Sequence, residues 1–282
     1  LFLLLFHFYG IRTIISERGP SLFNWIARQW TREGGDFAHG WLMPVISLGL
    51  VYHRRRDLAA APKHVDWLGL VPVVLSLLLH WIAFRAQQPR FSLFAMVGLL
   101  WGIPFFVLGR ETARILLFPC AYIFLCFASY FLVYFTFKLR LLATATSAWL
   151  LNGLGIGVQR HGTAILSTAA NGFQFNVADP CSGLRSLYVM TALAAPYAYL
   201  TQSGPIRKWL LFLASVPLAV VANILRLLTL GLAAQFFGQE FAMRLYHDYS
   251  GLIVFALAIV LMMLVGRVLD RAGPQPGEQT EA

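Results

Sequence analysis

The sequence predicts an all-α polytopic membrane protein of about eight transmembrane helices, carrying a small extracytoplasmic β-hairpin and interfacial helices. Three observations predict it. Of the 282 residues, 59% are hydrophobic and only 12% are charged, a balance too apolar for a soluble domain. The apolar residues fall in runs long enough to cross a hydrocarbon layer about 30 Å thick. The basic residues behind the net charge of +10 stand at the ends of those runs rather than in a patch interleaved with aromatics. That placement makes the lipid bilayer the expected partner and argues against nucleic acid.

Residues 1–15 read as the remainder of a first span, and because the chain begins at Leu1 rather than Met it is expected to continue upstream. Residues 16–38 are a polar connection holding a short amphipathic piece around Leu22, Phe23, Trp25, Ile26 and Trp30, suited to lie in the membrane interface. Further spans are predicted at 40–53, 65–84, 91–108 and 115–137. Residues 138–161 are too glycine-rich and too polar at their ends for a span and read as an interfacial or re-entrant helix. Gly153, Gly155 and Gly157 lack the strand, the Lys-Ser/Thr pair and the downstream acid that a nucleotide-binding loop needs. Residues 163–177 read as a β-hairpin, with Asn171-Gly172 as the tight turn and Phe173, Phe175 and Val177 alternating with Gln174 and Asn176. Spans at 182–200, 209–233 and 249–267 complete a single transmembrane domain over residues 1–271, followed by a polar, disordered tail at 272–282.

Charge placement orients these spans. With Arg54, Arg55, Arg56 and Lys63 in a cytoplasmic loop, alternation brings Arg110 and Arg114, Arg207 and Lys208, and Arg267 and Arg271 to the same side. It leaves residues 138–180 outside, and a ninth span within 138–161 breaks the agreement.

The three cysteines form no disulfide framework, and Cys120 and Cys126 lie inside an apolar run as packing residues. Cys181 is placed differently. Asp179 suits a helix N-cap and Pro180 the first helical position, so the thiol falls in the first turn, over unpaired backbone N–H groups. The positive end of the helix favours the thiolate there; Arg185, one turn on, adds to the effect and Asp179 opposes it. Such a cysteine is either a nucleophile or a small apolar residue at a helix start. Arg226 comes about 25 Å above Trp209 along its helix, near the outer rim of the bilayer. Inside a span an arginine costs several kcal/mol unless it faces the bundle, and Asn223 precedes it by one turn on the same face. Arg226 is therefore a site residue, or a structural cation paired with Asp179 or a helix end. His247, just before the last span, is an acid/base or a polar interface anchor. Asp36 and His39 line the same site or cap the second span. His7, His53, His64, His80 and His161 are scattered and no HExxH occurs, so neither a metal nor a cofactor is expected. Ser250, in a DYSG that half resembles a serine-protease GxSG, is better explained as a helix-start residue.

The blocks CSGLRSL at Cys181, ANILRL around Arg226 and HDYSG at His247 resemble, in order and spacing, the signature blocks of the exosortase/archaeosortase family. GGDFAHGWLMPVIS followed by HRRRDL is similar to that family's early segment, so the likeness covers most of the chain. Pro180, where a small residue such as Ala is common, and Ala38, in place of Ser, depart from the pattern. The resemblance implies a multi-pass cysteine transpeptidase of the cytoplasmic (inner) membrane of a bacterium, its active site facing outward. Such an enzyme cleaves the C-terminal sorting signal of exported proteins, a PEP-CTERM-like motif followed by a transmembrane helix and a basic tail. It does so through a thioester and passes the protein to an envelope acceptor. Position by position, the resemblance makes Cys181 the nucleophile, Arg226 the transition-state stabiliser and His247 the acid/base, with Arg185, Asn223, Asp179, Asp36 and His39 in support. Two other classes stay open on the residues alone. An envelope polysaccharide polymerase or lipid-linked transferase would not need the thiol, and a transporter would need ionisable groups near mid-membrane, which the spans mostly lack.

Overall fold

The computed structural model describes residues 1–11, 19–31, 38–126, 130–169, 172–176, 183–242 and 247–271. The chain is mostly helical and separates into two compact units, Leu1–Ala128 and Ser129–Ala282. Among the described residues three helices are long and apolar enough to cross a membrane: Trp67–Arg85, Pro89–Leu108 and Pro205–Phe237.

The first unit holds α1 (Phe2–Phe8), α2 (Leu22–Thr31), α3 (Leu42–His53), α4 (Arg55–Ala60), α5 (Leu70–Arg85), α6 (Pro89–Leu108) and α7 (Arg110–Ile123). The amphipathic segment is helix α2, which buries Leu22, Ile26 and Trp30 at helical spacing. The Ser21 Oγ accepts from the Asn24 N–H at its start, 3.4 Å away. α5 and α6 form an antiparallel hairpin drawn close by small residues: a Cβ on Gly98 would strike Ser76, and one on Gly102 would crowd Val73. This hairpin returns Arg110 to Asp66, 3.5 Å apart, so the basic start of α7 and the loop before α5 share one end, as charge placement predicts.

The second unit holds α8 (Tyr130–Gly153), β1 (Val158–His161), β2 (Ala164–Ser167), β3 (Gln174–Asn176), α9 (Gly183–Thr201), α10 (Pro205–Phe237), α11 (Gln239–Phe241) and α12 (His247–Arg271). α10, about 50 Å long at the usual rise, is its backbone. α8 runs parallel to it, since Ser147 Oγ donates to the Ile224 carbonyl at 3.4 Å and Leu151 lies over Gly231. α9 returns antiparallel through the turn at Gly204, whose φ of +83° suits glycine. α12 follows α9 in direction, with Gln202 Nε2 donating to the Gly266 carbonyl at 3.3 Å. Ala194 and Ala198 of α9 and Ala219 and Ala222 of α10 are buried, and with no apolar driving force in lipid it is this close approach of backbones that holds the helices together. Ile253, Leu257, Val260, Leu264 and Val268 are exposed along one apolar stripe of α12. Gly231→Val should test the α8–α10 seam. A Cβ there lies 2.8 Å from a methyl of the fully buried Leu151, so overpacking should cost about 1–3 kcal/mol, read as a lower melting temperature in detergent.

Two readings from sequence are corrected. Residues 115–137 are not one helix: α7 ends at Ile123 in a tightened turn, Phe124–Cys126, and a new helix is under way by Tyr130. That helix carries straight through Lys138 and Arg140, so residues 138–153 are the second part of α8 rather than a separate interfacial or re-entrant piece. The run continues because Ala143, Thr144, Ser147, Ala148 and Leu151 are spaced to bury against α10, and long basic side chains can extend along a helix to reach a polar layer. The tight hairpin turn is Gly162-Thr163, with Gly162 at φ +62°, and it joins β1 to β2. β2 then pairs antiparallel with β3, Ile165 opposite Phe175, across a longer link that contains Gly172. The expected pairing of 163–167 with the Phe173–Asn176 stretch therefore holds, with β1 added; Asn171 and Val177 lie outside the described residues.

Candidate functional site

The sheet sits on the C-terminal half of α10. Val158, Ile165 and Phe173 pack with Leu227, Leu230 and Ala234. Two carboxamides fix its edges. Asn152, in the last turn of α8, accepts from the Val158 N–H at 2.9 Å and donates to the Val158 carbonyl at 3.0 Å, closing the outer side of β1. Gln239 Oε1 accepts from the Gln174 N–H at 3.2 Å, tying β3 to the chain just beyond α10. Neither was singled out from sequence, although the Gly162-Thr163 pair between Val158–His161 and Ala164–Ser167 is a legible two-residue turn.

From Asn176 the chain proceeds to the start of α9. Cys181 and Asp179 lie between the two and outside the described residues. α9 opens at Gly183 and includes Arg185; α12 opens at His247; Asn223 and Arg226 lie in α10. Asp36 lies outside the described residues, and His39 falls in the turn Ala38–Trp41 of the first unit.

Within the second unit, heights can be counted from the Gln202–Gly204 turn, which joins α9 to α10 and touches α12 at Gly266. At about 1.5 Å per residue, Gly183 stands about 28 Å above Gln202 and His247 about 28 Å above Gly266. On α10, Asn223 stands about 27 Å and Arg226 about 31 Å above Pro205. The first turns of α9 and α12 and the Asn223–Arg226 segment of α10 thus share one level. Arg207, Lys208, Arg267 and Arg271 gather at the opposite end of the same unit.

The groups at that level differ in setting. Asn223 is buried, at 4% exposure, in the face of α10 that carries Ala219, Ala222 and Leu227. Arg226 is half-buried, with its Nε shut off from solvent. The Thr229 hydroxyl, one turn on, is turned back onto the Leu225 and Arg226 carbonyls at 2.9 and 3.1 Å. A guanidinium in such a low-dielectric setting interacts with an anion far more strongly than one in water. A half-buried guanidinium of this kind can pair with an anion that reaches it.

The sequence model of the family described as Transmembrane exosortase (Exosortase_EpsH) matches residues 30–264. No curated protein and no solved structure matches the chain.

Proposed function

The chain belongs to the transmembrane exosortase family, and from that membership we propose that it is a membrane cysteine transpeptidase acting on C-terminal sorting signals. Family membership supports a membrane transpeptidase or protease role in general. The finer reading gives Cys181 the nucleophile's part, Arg226 the oxyanion's partner and His247 the acid/base, with Arg185 and Asp179 shaping the first turn of α9 and Asn223 beside Arg226. Asp36 and His39 are read as further supporting residues.

The chemistry balances on these groups alone. The Cys181 thiolate, its proton held by the His247 imidazole, attacks the scissile carbonyl carbon, and the negative charge that develops on oxygen is met by Arg226. The C–N bond breaks as the imidazolium returns the proton to the leaving amine, freeing the membrane tail and leaving a thioester. An amine or hydroxyl of an envelope component then attacks the thioester and restores the thiol; water in its place gives hydrolysis.

What supports this assignment is the common level of the α9 start, the α12 start and the Asn223–Arg226 segment, reached independently by counting along three helices. We read the protein as one functional domain over residues 1–271 with a polar tail. It crosses the cytoplasmic (inner) membrane of a bacterium about eight times, α8 replacing 115–137 as the fifth crossing, with the sheet end of the second unit outward. The test is co-expression with a tagged protein that ends in a PEP-CTERM-like motif, a transmembrane helix and a basic tail. The tagged protein should lose its tail only when the enzyme is present, and an unchanged tail would refute the reading.

A further inference from the structure

Two buried carboxamides described in the second unit, Asn223 and Gln202, leave their oxygens without a hydrogen-bond partner among the described residues, and Gln202 lies at the opposite end of the unit, where its Nε2 is bonded to Gly266. Thr144, Ser147, Gln202 and Ser215 each donate to a backbone carbonyl. Asn223 is as buried as they are, at 4% exposure, yet its Oδ1 has no hydrogen-bond partner among the described residues. A buried carbonyl oxygen left unpaired is costly, and an apolar residue of the same size would fill the position at less expense to the fold. The position also lies at the level where the α9 and α12 helices open, three residues before Arg226 on α10.

From this we infer that Asn223 is a substrate-binding residue, whose carboxamide takes a backbone N–H of the extended peptide beside the scissile bond. The inference rests on the transpeptidase reading above. Residues three apart on a helix have Cβ atoms about 5–6 Å apart, and an extended peptide advances about 3.3–3.6 Å per residue. With Arg226 at the scissile carbonyl oxygen, Asn223 meets the peptide group one or two residues along. A carboxamide presents both an acceptor and donors, so it matches a peptide group without regard to side chain. It therefore sets the register of the chain in the site and leaves sequence choice to other contacts. A substrate with a transmembrane sorting signal arrives already tethered to the membrane, so that a single backbone bond suffices to place the carbonyl.

Asn223→Leu separates this role from a structural one. The variant should unfold in detergent at the same temperature as the parent or higher, because it removes an unpaired buried oxygen. It should process the tethered substrate roughly tenfold more slowly, the scale of one hydrogen bond lost in a desolvated site. Alkylation of Cys181 by a small thiol reagent should keep its parental rate and pH profile. A second arm uses substrates in which residues flanking the scissile bond are replaced singly by proline, which has no N–H. At one position the parent enzyme should lose about as much as the leucine variant has already lost, and the leucine variant should lose no more. A lower unfolding temperature, parental processing, a shifted alkylation profile, or additive losses at every proline position would each overturn the inference. If Cys181→Ala still processes substrate, the reading beneath it fails instead.

Discussion

Cys181→Ala should abolish processing of a tethered substrate, lowering the rate by at least about a thousandfold while the protein still accumulates in the membrane. The reason is chemical rather than architectural. With sulfur gone, the proposed acyl intermediate has no atom on which to form. Alanine should leave the helix start intact, so stability should change little. Cys181→Ser should be nearly as inactive, since a hydroxyl needs a far stronger base than a thiol to act as a nucleophile. The check is an immunoblot for the tagged substrate with and without its tail, beside one for the enzyme. A rate within threefold of the parent, on the order of half a kcal/mol of barrier, would remove the thiol from the mechanism and return the polymerase and transferase class to consideration.

Arg226→Lys should be the second most damaging change, slowing processing by about 10²- to 10³-fold although charge is conserved. A guanidinium offers a planar fork of donors, whereas an ammonium is a compact, strongly hydrated point charge on a flexible stem. At a half-buried position whose Nε is shut off from solvent, lysine would also bear a larger desolvation cost. Arg226→Gln, which keeps donors without charge, should fall as far or further. If the loss came instead from the bundle falling apart, melting temperature would drop with it; the prediction is that activity falls and the melting temperature holds.

The helical membrane class was legible because apolar runs and basic ends report on lipid directly. Helix ends were not. Residues 115–137 are apolar throughout, and hydropathy cannot register that α7 stops at Ile123 and α8 is under way by Tyr130. Lys138 and Arg140 looked like the exit of a span because charge usually marks one, yet the buried spacing of Ala143, Ser147 and Leu151 carries the helix past them. The hairpin over 163–177 was legible, since β2 and β3 pair across the link that holds Gly172; the two-residue loop at Gly162-Thr163, which adds β1 to them, carries the weaker turn signal and was not read. The height of Arg226 was legible because helix rise converts its distance from Trp209 into depth. Asn223 could be placed on the right face by the same counting. Its unpaired oxygen could not, since whether a buried amide is satisfied depends on neighbours brought by other helices.

The most direct measurement is the mass of the Cys181-containing peptide after brief reaction with a tethered substrate, quenched in acid without an acceptor. The account predicts an adduct on that peptide equal to the acyl part of the substrate, released by hydroxylamine as a thioester would be, and absent in Cys181→Ala. Processing that proceeds with no adduct on Cys181, or with one on another residue, would contradict it.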